Sequence, residues 1–433
     1  MDDHMTVSAL ADIIRHQAEI LEDGRLRHTY PDHYGDKSLT TARSRLLEAC
    51  DKLNHLVTGP EEYMMGLAQG HRLQAALQYV CHFRLASHIP ADGTPISYDE
   101  LAEKASVEAS RCVRILRLLM THHIFREPGT RLIAHNRNSR VLLDSDAGAA
   151  IEWYTNEAFR SSTFLAEASE LWPSSEQMNQ TALNLAYDTS LPAFRFLSQS
   201  LEPSRADRYS RAMAGLSKRR QLTVEHLVTG YDWKSLPNDT TMVDVGGGNG
   251  YCSKAIADAN PGLKFVVQDL KKTFGAVHTD LKGRLRFMEY DFFTPQPVVA
   301  DVYLLRRVLH YHPNKYVVKI LQAQVSAMKK PGARIIIMDD IAIRSGMITT
   351  LEERKTRTLD ISMMSLYNSA ERDLGDWKAL FHTVDPKLKL VDVRKPPGSS
   401  LSIMELWMDQ QSQSRGQNDG SLPYAFTKRN SVS

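Results

Sequence analysis

The sequence predicts an α/β protein whose C-terminal half holds a parallel sheet covered on both faces, behind a mostly helical N-terminal half. Two observations carry this. Beyond Asp239, apolar runs of strand length alternate with helical stretches, and before residue 235 apolar positions recur mainly at helical spacing. A third fixes the start of the sheet: the run Thr241-Met242-Val243-Asp244-Val245 leads straight into glycines at 246, 248 and 250.

Along the chain, helical periodicity covers residues 7 to 21 and 40 to 56, with the polar stretch Tyr30 to Gly35 between them. Residues 1–59 are therefore read as a helical extension. Pro60 opens a helical stretch through Leu67, Leu73, Leu77, Val80 and Phe83 whose broad apolar face suits either a second subunit or a monomeric core. A helix around 98–105, a break at Ser106-Val107, a helix over 108–122 and a hairpin around Pro128-Gly129 follow, which is the layout of a winged helix, set within a domain over 60–150. Arg111, Arg114 and Arg117 line one face of its second helix, but Val113, Leu116, Leu119 and Met120 make the rest a core element. The arginine stripe reads better as solvated or dimer-facing than as a groove reader.

Residues 151–235 read as a helical connector, and 236–410 as the α/β domain. Strands are expected at 241–245, 263–268, 284–288, 302–305, 333–338, 388–393 and 401–407, with helices over 251–259 and 314–329. The polar composition of 411–433 predicts disorder.

With 53 basic and 51 acidic residues the net charge is +2, so no global field favours nucleic acid or an anionic membrane, and a small molecule is the expected partner. Four widely spaced cysteines make no metal or redox pair, and no run of 18 apolar residues occurs, so a soluble cytoplasmic protein is expected.

The glycine spacing is G-x-G-x-G, with Tyr251 where a dinucleotide site wants its third glycine. A pyrophosphate seeks the free N–H groups of a helix N-terminus. S-adenosylmethionine has no phosphate and favours carboxylates and carbonyls through its cationic groups, so it fits Gly246, Gly247 and Gly248 better. Asp269 ends the second strand nineteen positions after Gly250, where a carboxylate grips a ribose diol. Ligands in such sheets sit beyond the carboxyl ends of the strands, which directs attention to Asp269, Asp291-Phe292-Phe293, Arg306 through His312, and Asp339-Asp340. Asp291 and Phe292 suit an adenine amino group and ring, or Asp291 simply caps the next segment.

The segments Val243 to Gly250, Val266 to Leu270, Tyr290 to Phe293, Leu305 to His310, Pro331 to Arg334 and Ala370-Glu371-Arg372 together resemble the metal-independent small-molecule O-methyltransferases of plants and fungi, in particular the fungal secondary-metabolite branch, over residues 60 to 408. The resemblance implies a Rossmann-like class I methyltransferase domain preceded by a mostly helical winged-helix dimerisation domain, a homodimer, and S-adenosylmethionine as cofactor, with no metal. It implies His310 as general base, flanked by Asp339 and Glu371, and Leu270 and Arg306 beside the cofactor. Tyr209, Met213, Met363 and Tyr367 fall where the family lines its acceptor pocket. The chain departs from the family at Tyr311-His312, where Asp or Asn and then Trp are usual, and at Asp339, where plant members carry Glu. The expected reaction is methylation of a phenolic or enolic hydroxyl on a polyketide-like metabolite. The alternative is cofactor-assisted dehydration or pericyclic ring formation, using Arg306-Arg307, His135 and Tyr311-His312. A silent scaffold is a third.

Overall fold

A computed structural model describes residues 5–27, 37–199, 203–274, 281–343 and 346–409. The tail beyond residue 409 and the stretch 30–35 lie outside the described residues. The N-terminal elements are the paired helices Val7–Arg27 and Lys37–Thr58, then Pro60–Gln69 and His71–His82. The single helical stretch expected from Pro60 is thus two helices broken at Gly70, which joins them with φ −57° and ψ −25°. Pro60–Gln69 buries none of its residues, and Met64, Met65 and Leu67 are 62%, 54% and 60% exposed.

A small sheet follows, made of β1 (Ile96–Ser97), β2 (Arg126–Gly129) and β3 (Leu132–Ala134), in the order β1-β3-β2. Between β1 and β2 run the helices Tyr98–Ala105 and Ala109–Thr121, the first capped by the Ser97 hydroxyl and the second by the Glu108 carboxylate. Leu101, Cys112, Leu116, Leu119, Phe125 and Ile133 pack as one core. This is the winged helix. Its hairpin turns at Thr130-Arg131 rather than at Pro128-Gly129, because both of those residues belong to β2 and Arg131 supplies the positive φ of 59°. Arg117 pairs with Glu127 at 2.9 Å and Arg111 sits near Glu108 on the surface, so the arginine stripe is solvated and partly paired.

The large sheet contains β4 (Thr241–Val245), β5 (Lys264–Asp269), β6 (Leu285–Glu289), β7 (Val302–Arg306), β8 (Arg334–Asp339), β9 (Leu388–Arg394) and β10 (Ser402–Met408), in the order β6-β5-β4-β7-β8-β10-β9. The first five are parallel, and β10 runs antiparallel to both its neighbours. Alternation decides which side chains go to which face. Val243, Val245, Tyr303, Leu305, Ile335 and Ile337 pack with Val317, Ile320, Trp377 and Phe381 of the helices Asn314–Ala327 and Leu374–Val384. Met242, Val302, Leu304, Ile336 and Met338 meet Leu227, Ile256 and Ala257 on the other face. Both faces are dry, which is why these strands read as continuous apolar runs. No helix among the described residues is long and apolar enough to cross a membrane.

A third core joins the connector to the α/β domain, where Trp153, Leu183, Ala212 and Leu216 pack with Met363, Leu366 and Tyr367 of the helix Thr350–Tyr367. Two of its helices, Ser145–Trp153 and Pro203–Ser217, approach so closely that a Cβ on Gly215 would lie 2.6 Å from the Asp146 carbonyl oxygen. The buried Glu157 carboxylate, bonded to Arg208, lies next to this junction. Helix propensity alone predicts that Gly215→Ala stabilises. Here the opposite is expected: the pair must move apart, costing about 1–3 kcal/mol, read as a lower midpoint in chemical denaturation.

Candidate active site

The sheet order reverses between β4 and β7, since β5 and β6 continue to one side and β8 to the other. The crevice beyond the carboxyl ends of β4 and β7 is where this topology places a ligand. Gly246, Gly248 and Gly250 all have positive φ, at 71°, 58° and 76°. A Cβ on Gly246 would meet Val308 at 2.9 Å, and one on Gly247 would meet Asp244 at 2.6 Å, whereas Gly248 faces open space. The amides of residues 246, 247, 248, 250 and 251 are already taken. Gly246 and Gly247 donate to the Gln268 carbonyl, Gly248 to Asp269 Oδ2 at 2.8 Å, Gly250 to the Gly247 carbonyl and Tyr251 to Asn249 Oδ1. A pyrophosphate needs those groups free. A loop that satisfies its own amides and holds two carboxylates, Asp244 and Asp269, suits a ligand without phosphate and with positive charge. Burial raises the Asp244 carboxyl to about 6 while the Ser253 hydroxyl, at 2.7 Å, holds it in place.

Asp269 ties the end of β5 to the loop, accepting from Leu270 N at 2.7 Å through Oδ1. Leu270 beside it is exposed. After β6, Asp291 caps Phe293 N at 3.0 Å, the capping role weighed from sequence, and Phe292 packs edge-on against His312. The Arg306 guanidinium crosses behind the loop to the Cys252 sulfur and the Leu222 carbonyl, with Nε buried and unpartnered.

The chain leaves β7 through Arg306 and Arg307 and enters a single turn, Leu309–Tyr311, that buries His310. His310 Nδ1 lies 3.1 Å from Glu371 Oε1, and its Nε2 is buried with no protein partner. Asp339, at the end of β8, accepts the backbone N–H of His310 at 3.1 Å and does not bond the ring. The two acids therefore act differently: Glu371 bonds the imidazole, and Asp339 fixes the main chain that carries it. Burial pushes the His310 ring down to about 4, against the pull of Asp339, with Arg307 and Arg372 adding to the depression. Burial also raises Asp339 to about 6 and both Asp340 and Glu371 to about 7. Ligand atoms of His310, Asp340 and Glu371 lie within 4.8 Å of one another, a spacing a metal ion could use. Nδ1 is already bonded to Glu371, and the positive charges of Arg307 and Arg372 act on the same carboxyl.

Tyr209, Met213, Met363 and Tyr367 come together in the third core with Tyr311. The Tyr209 and Tyr367 hydroxyls are 3.3 Å apart, and the Tyr311 hydroxyl lies 4.0 Å from the Met213 sulfur. His312 turns the other way, toward Phe292 and Phe293. His135 is remote in its chemistry: its ring bonds Ser139 Oγ and the Ala86 carbonyl, each at 2.9 Å, inside the winged helix.

Sequence reasoning missed the residues that hold the turn. Ser369 donates to the carbonyls of His310 and His312, and Arg372 donates to those of Leu309 and His312. Asp360 accepts from Glu371 N at 2.7 Å. Only Arg372 had a signal, as the neighbour of Glu371. The others are ordinary polar residues whose partners are distant in sequence.

Comparison with known proteins agrees with this geometry. A family profile described as an O-methyltransferase domain matches residues 175–384, and one described as an O-methyltransferase dimerisation domain matches 65–145. The O-methyltransferase pgmB of Aspergillus terreus is 35% identical over 376 residues, 84% of either chain. The O-methyltransferase VdtC of Byssochlamys spectabilis is 36% identical, over 86% of this chain and 87% of its own. Among solved structures, OxaC superposes with a TM-score of 0.79 at 22% identity, covering 93% of this chain and 98% of its own. LepI in complex with SAM gives 0.71 at 19%, covering 92% and 99%. These two share the fold. The chain belongs to the O-methyltransferase family, an S-adenosylmethionine-dependent enzyme whose relatives include fungal secondary-metabolite methyltransferases.

Proposed function

We propose that this enzyme methylates a phenolic or enolic hydroxyl of a polyketide-like metabolite, with His310 as general base. The observation that carries the reading is His310 Nε2, a buried nitrogen with no protein partner on a ring whose other nitrogen is held by Glu371. Bound in the crevice, S-adenosylmethionine supplies an electrophilic methyl group and leaves as S-adenosylhomocysteine. Gly246, Gly247, Gly248 and Asp269 would hold it, with Leu270, Asp291 and Phe292 around the nucleoside end and Arg306 beside the loop.

A phenol has a pKa of about 10, so its oxyanion is scarce near neutrality. With Glu371 ionised, His310 Nδ1–H donates to Oε1 and the lone pair stays on Nε2. The acceptor proton moves to Nε2 as the oxygen attacks, and Glu371 faces the imidazolium that forms. Tyr209, Met213, Met363 and Tyr367 would pack against the acceptor ring and align it. The rival reading, dehydration or pericyclic chemistry, loses one of its groups, since both nitrogens of His135 are bonded inside the winged helix. Stoichiometric release of S-adenosylhomocysteine with product separates the two.

We also assign the exposed Met64, Met65 and Leu67 to a homodimer interface, on the grounds of their exposure and the dimerisation domain that begins beside them.

Four outcomes are expected. His310→Ala lowers kcat by about 10²–10⁴ with S-adenosylhomocysteine affinity unchanged by calorimetry, and undiminished turnover would rule the base out. The pH dependence follows from the shifted pair. Lowering the pH through the window from about 7 to about 4, to which Glu371 and His310 are displaced, adds a second proton to the pair and removes the free lone pair, so kcat/KM falls on the acid side. In Glu371→Gln the ring titrates without that carboxyl, so the acid limb moves to lower pH while kcat drops at least ~10-fold; a limb that stays put would assign it to another group. Finally, Met65→Glu with Leu67→Glu converts a dimer to a monomer in sedimentation, and an unchanged mass would place the interface elsewhere.

A further inference from the structure

Arg307 is the charged group of this crevice that the proposed methyl transfer leaves without a task. Its backbone takes a φ of 52° as the chain leaves β7, a strained conformation for a residue with a Cβ, and its N–H donates to the Met338 carbonyl at 3.0 Å. That turn directs the guanidinium inward, into the charged surroundings of Tyr311, Asp340, Asp339 and Glu371. There it makes one hydrogen bond, from Nη2 to the Tyr311 hydroxyl at 3.5 Å, and Nε is buried with no partner. Among the described residues no carboxylate forms an ion pair with it, whereas Arg208 and Arg334 each have one within 3.1 Å. A guanidinium keeps its charge at any ordinary pH and normally meets a carboxylate with two parallel bonds when buried. Burying one without that partner is costly.

The neighbouring acids offset it only in part, and none pairs with it. Burial raises both Asp340 and Glu371 to about 7, which reduces the negative charge they offer near neutrality. Tyr311 is a neutral hydroxyl, raised by burial. The Tyr311 ring that meets Arg307 is the centre of an aromatic wall: His310 to Tyr311 at 4.0 Å, Tyr311 to Tyr367 at 4.9 Å and Phe194 to Tyr311 at 5.2 Å between centroids. Tyr311 spans the short distance between the imidazole and the guanidinium. Tyr311 touches both groups, its ring centroid 4.0 Å from that of His310 and its hydroxyl 3.5 Å from Arg307 Nη2.

We propose that Arg307 and Tyr311 form a recognition site for an anionic oxygen of the acceptor, a carboxylate or an ionised β-dicarbonyl oxygen next to the hydroxyl that is methylated. This deepens the O-methyltransferase reading and rests on it. The acceptor class it selects is an acidic hydroxyaromatic or an enolised dicarbonyl, in preference to the neutral phenol of the same ring size.

The test uses the full chain saturated with S-adenosylhomocysteine, titrated with 1-hydroxy-2-naphthoate and with its methyl ester and followed by naphthol fluorescence. The acid is expected to bind at least tenfold tighter than the ester. Arg307→Met brings the two within about twofold while ester affinity stays within threefold, Arg307→Lys keeps part of the preference, and Tyr311→Phe weakens the acid alone by a few-fold. Equal binding of acid and ester by the unmodified protein overturns the proposal without any variant, and so does a preference that survives Arg307→Met. Failure here and failure of the methyl-transfer reading are separable. His310→Ala keeps the acid preference while losing turnover, whereas loss of S-adenosylhomocysteine binding by the unmodified protein would sink the underlying reading instead.

Discussion

The structure depends on one turn being held rigid at the end of β7. A single helical turn cannot satisfy its own backbone, because the first N–H groups and last C=O groups of any helix lack internal partners. Here side chains from two other segments take that role. Asp339 accepts from His310 N, while Ser369 and Arg372 donate to the carbonyls of Leu309, His310 and His312. The residue whose imidazole matters is therefore fixed through its main chain before its side chain makes any contact. Asp339 ends a strand that is buried from Ile335 onward, and Arg372 stacks over Trp377 in the core beneath, so the clamp is anchored in the core of the domain.

That clamp explains why the ring can be so deeply buried. A histidine surrounded by protein loses its affinity for protons, and the downward shift of His310 reflects this desolvation more than any neighbour. A weaker base is a poorer proton acceptor unless the charged product is stabilised where it forms. Glu371 lies against Nδ1, and burial, with the nearby Asp360, raises its pKa to about 7. Asp360 accepts from the Glu371 backbone, so the acid is positioned by the same logic as the histidine, from the main chain outward.

Much of this was legible in the sequence. Apolar runs such as Ile335-Ile336-Ile337 can only be strands covered on both faces, and all seven strands of the large sheet lie within about a residue of their expected positions. The glycine loop was equally readable, since positive φ at alternate positions leaves few other residue choices. The break at Gly70 was not, because the apolar period runs through it unchanged and Gly70 itself keeps helical angles, φ −57° and ψ −25°. The helices Thr350–Tyr367 and Leu374–Val384 were passed over, although Thr349 and Asp373 open each with a capping box. The division of labour between Asp339 and Glu371 was out of reach for a different reason. Residue type says that a carboxylate is present, but whether it meets a ring or a backbone amide depends on a one-carbon difference in reach and on the end of a strand about 30 residues away.

The pair Tyr311-His312 shows how a departure from family pattern changes two sites at once. Tyr311 and His312 share Phe194 as a neighbour, at 5.2 and 6.1 Å between centroids, and otherwise meet different groups. His312 packs edge-on against Phe292 and Phe293, on the side where the donor nucleoside is proposed to lie, and burial holds its ring neutral with the pKa lowered to about 3. A neutral imidazole among phenylalanines is a flat aromatic surface, so it can do what a larger indole does as a wall while adding a nitrogen, Nδ1, that no protein group occupies. Tyr311 meets Arg307, Met213 and Tyr367, on the side where the acceptor is proposed to lie. The hydroxyl at the far end of its ring reaches Arg307, whose positive charge no carboxylate pairs among the described residues. The tyrosine offers a hydroxyl and leaves that charge in place for a ligand.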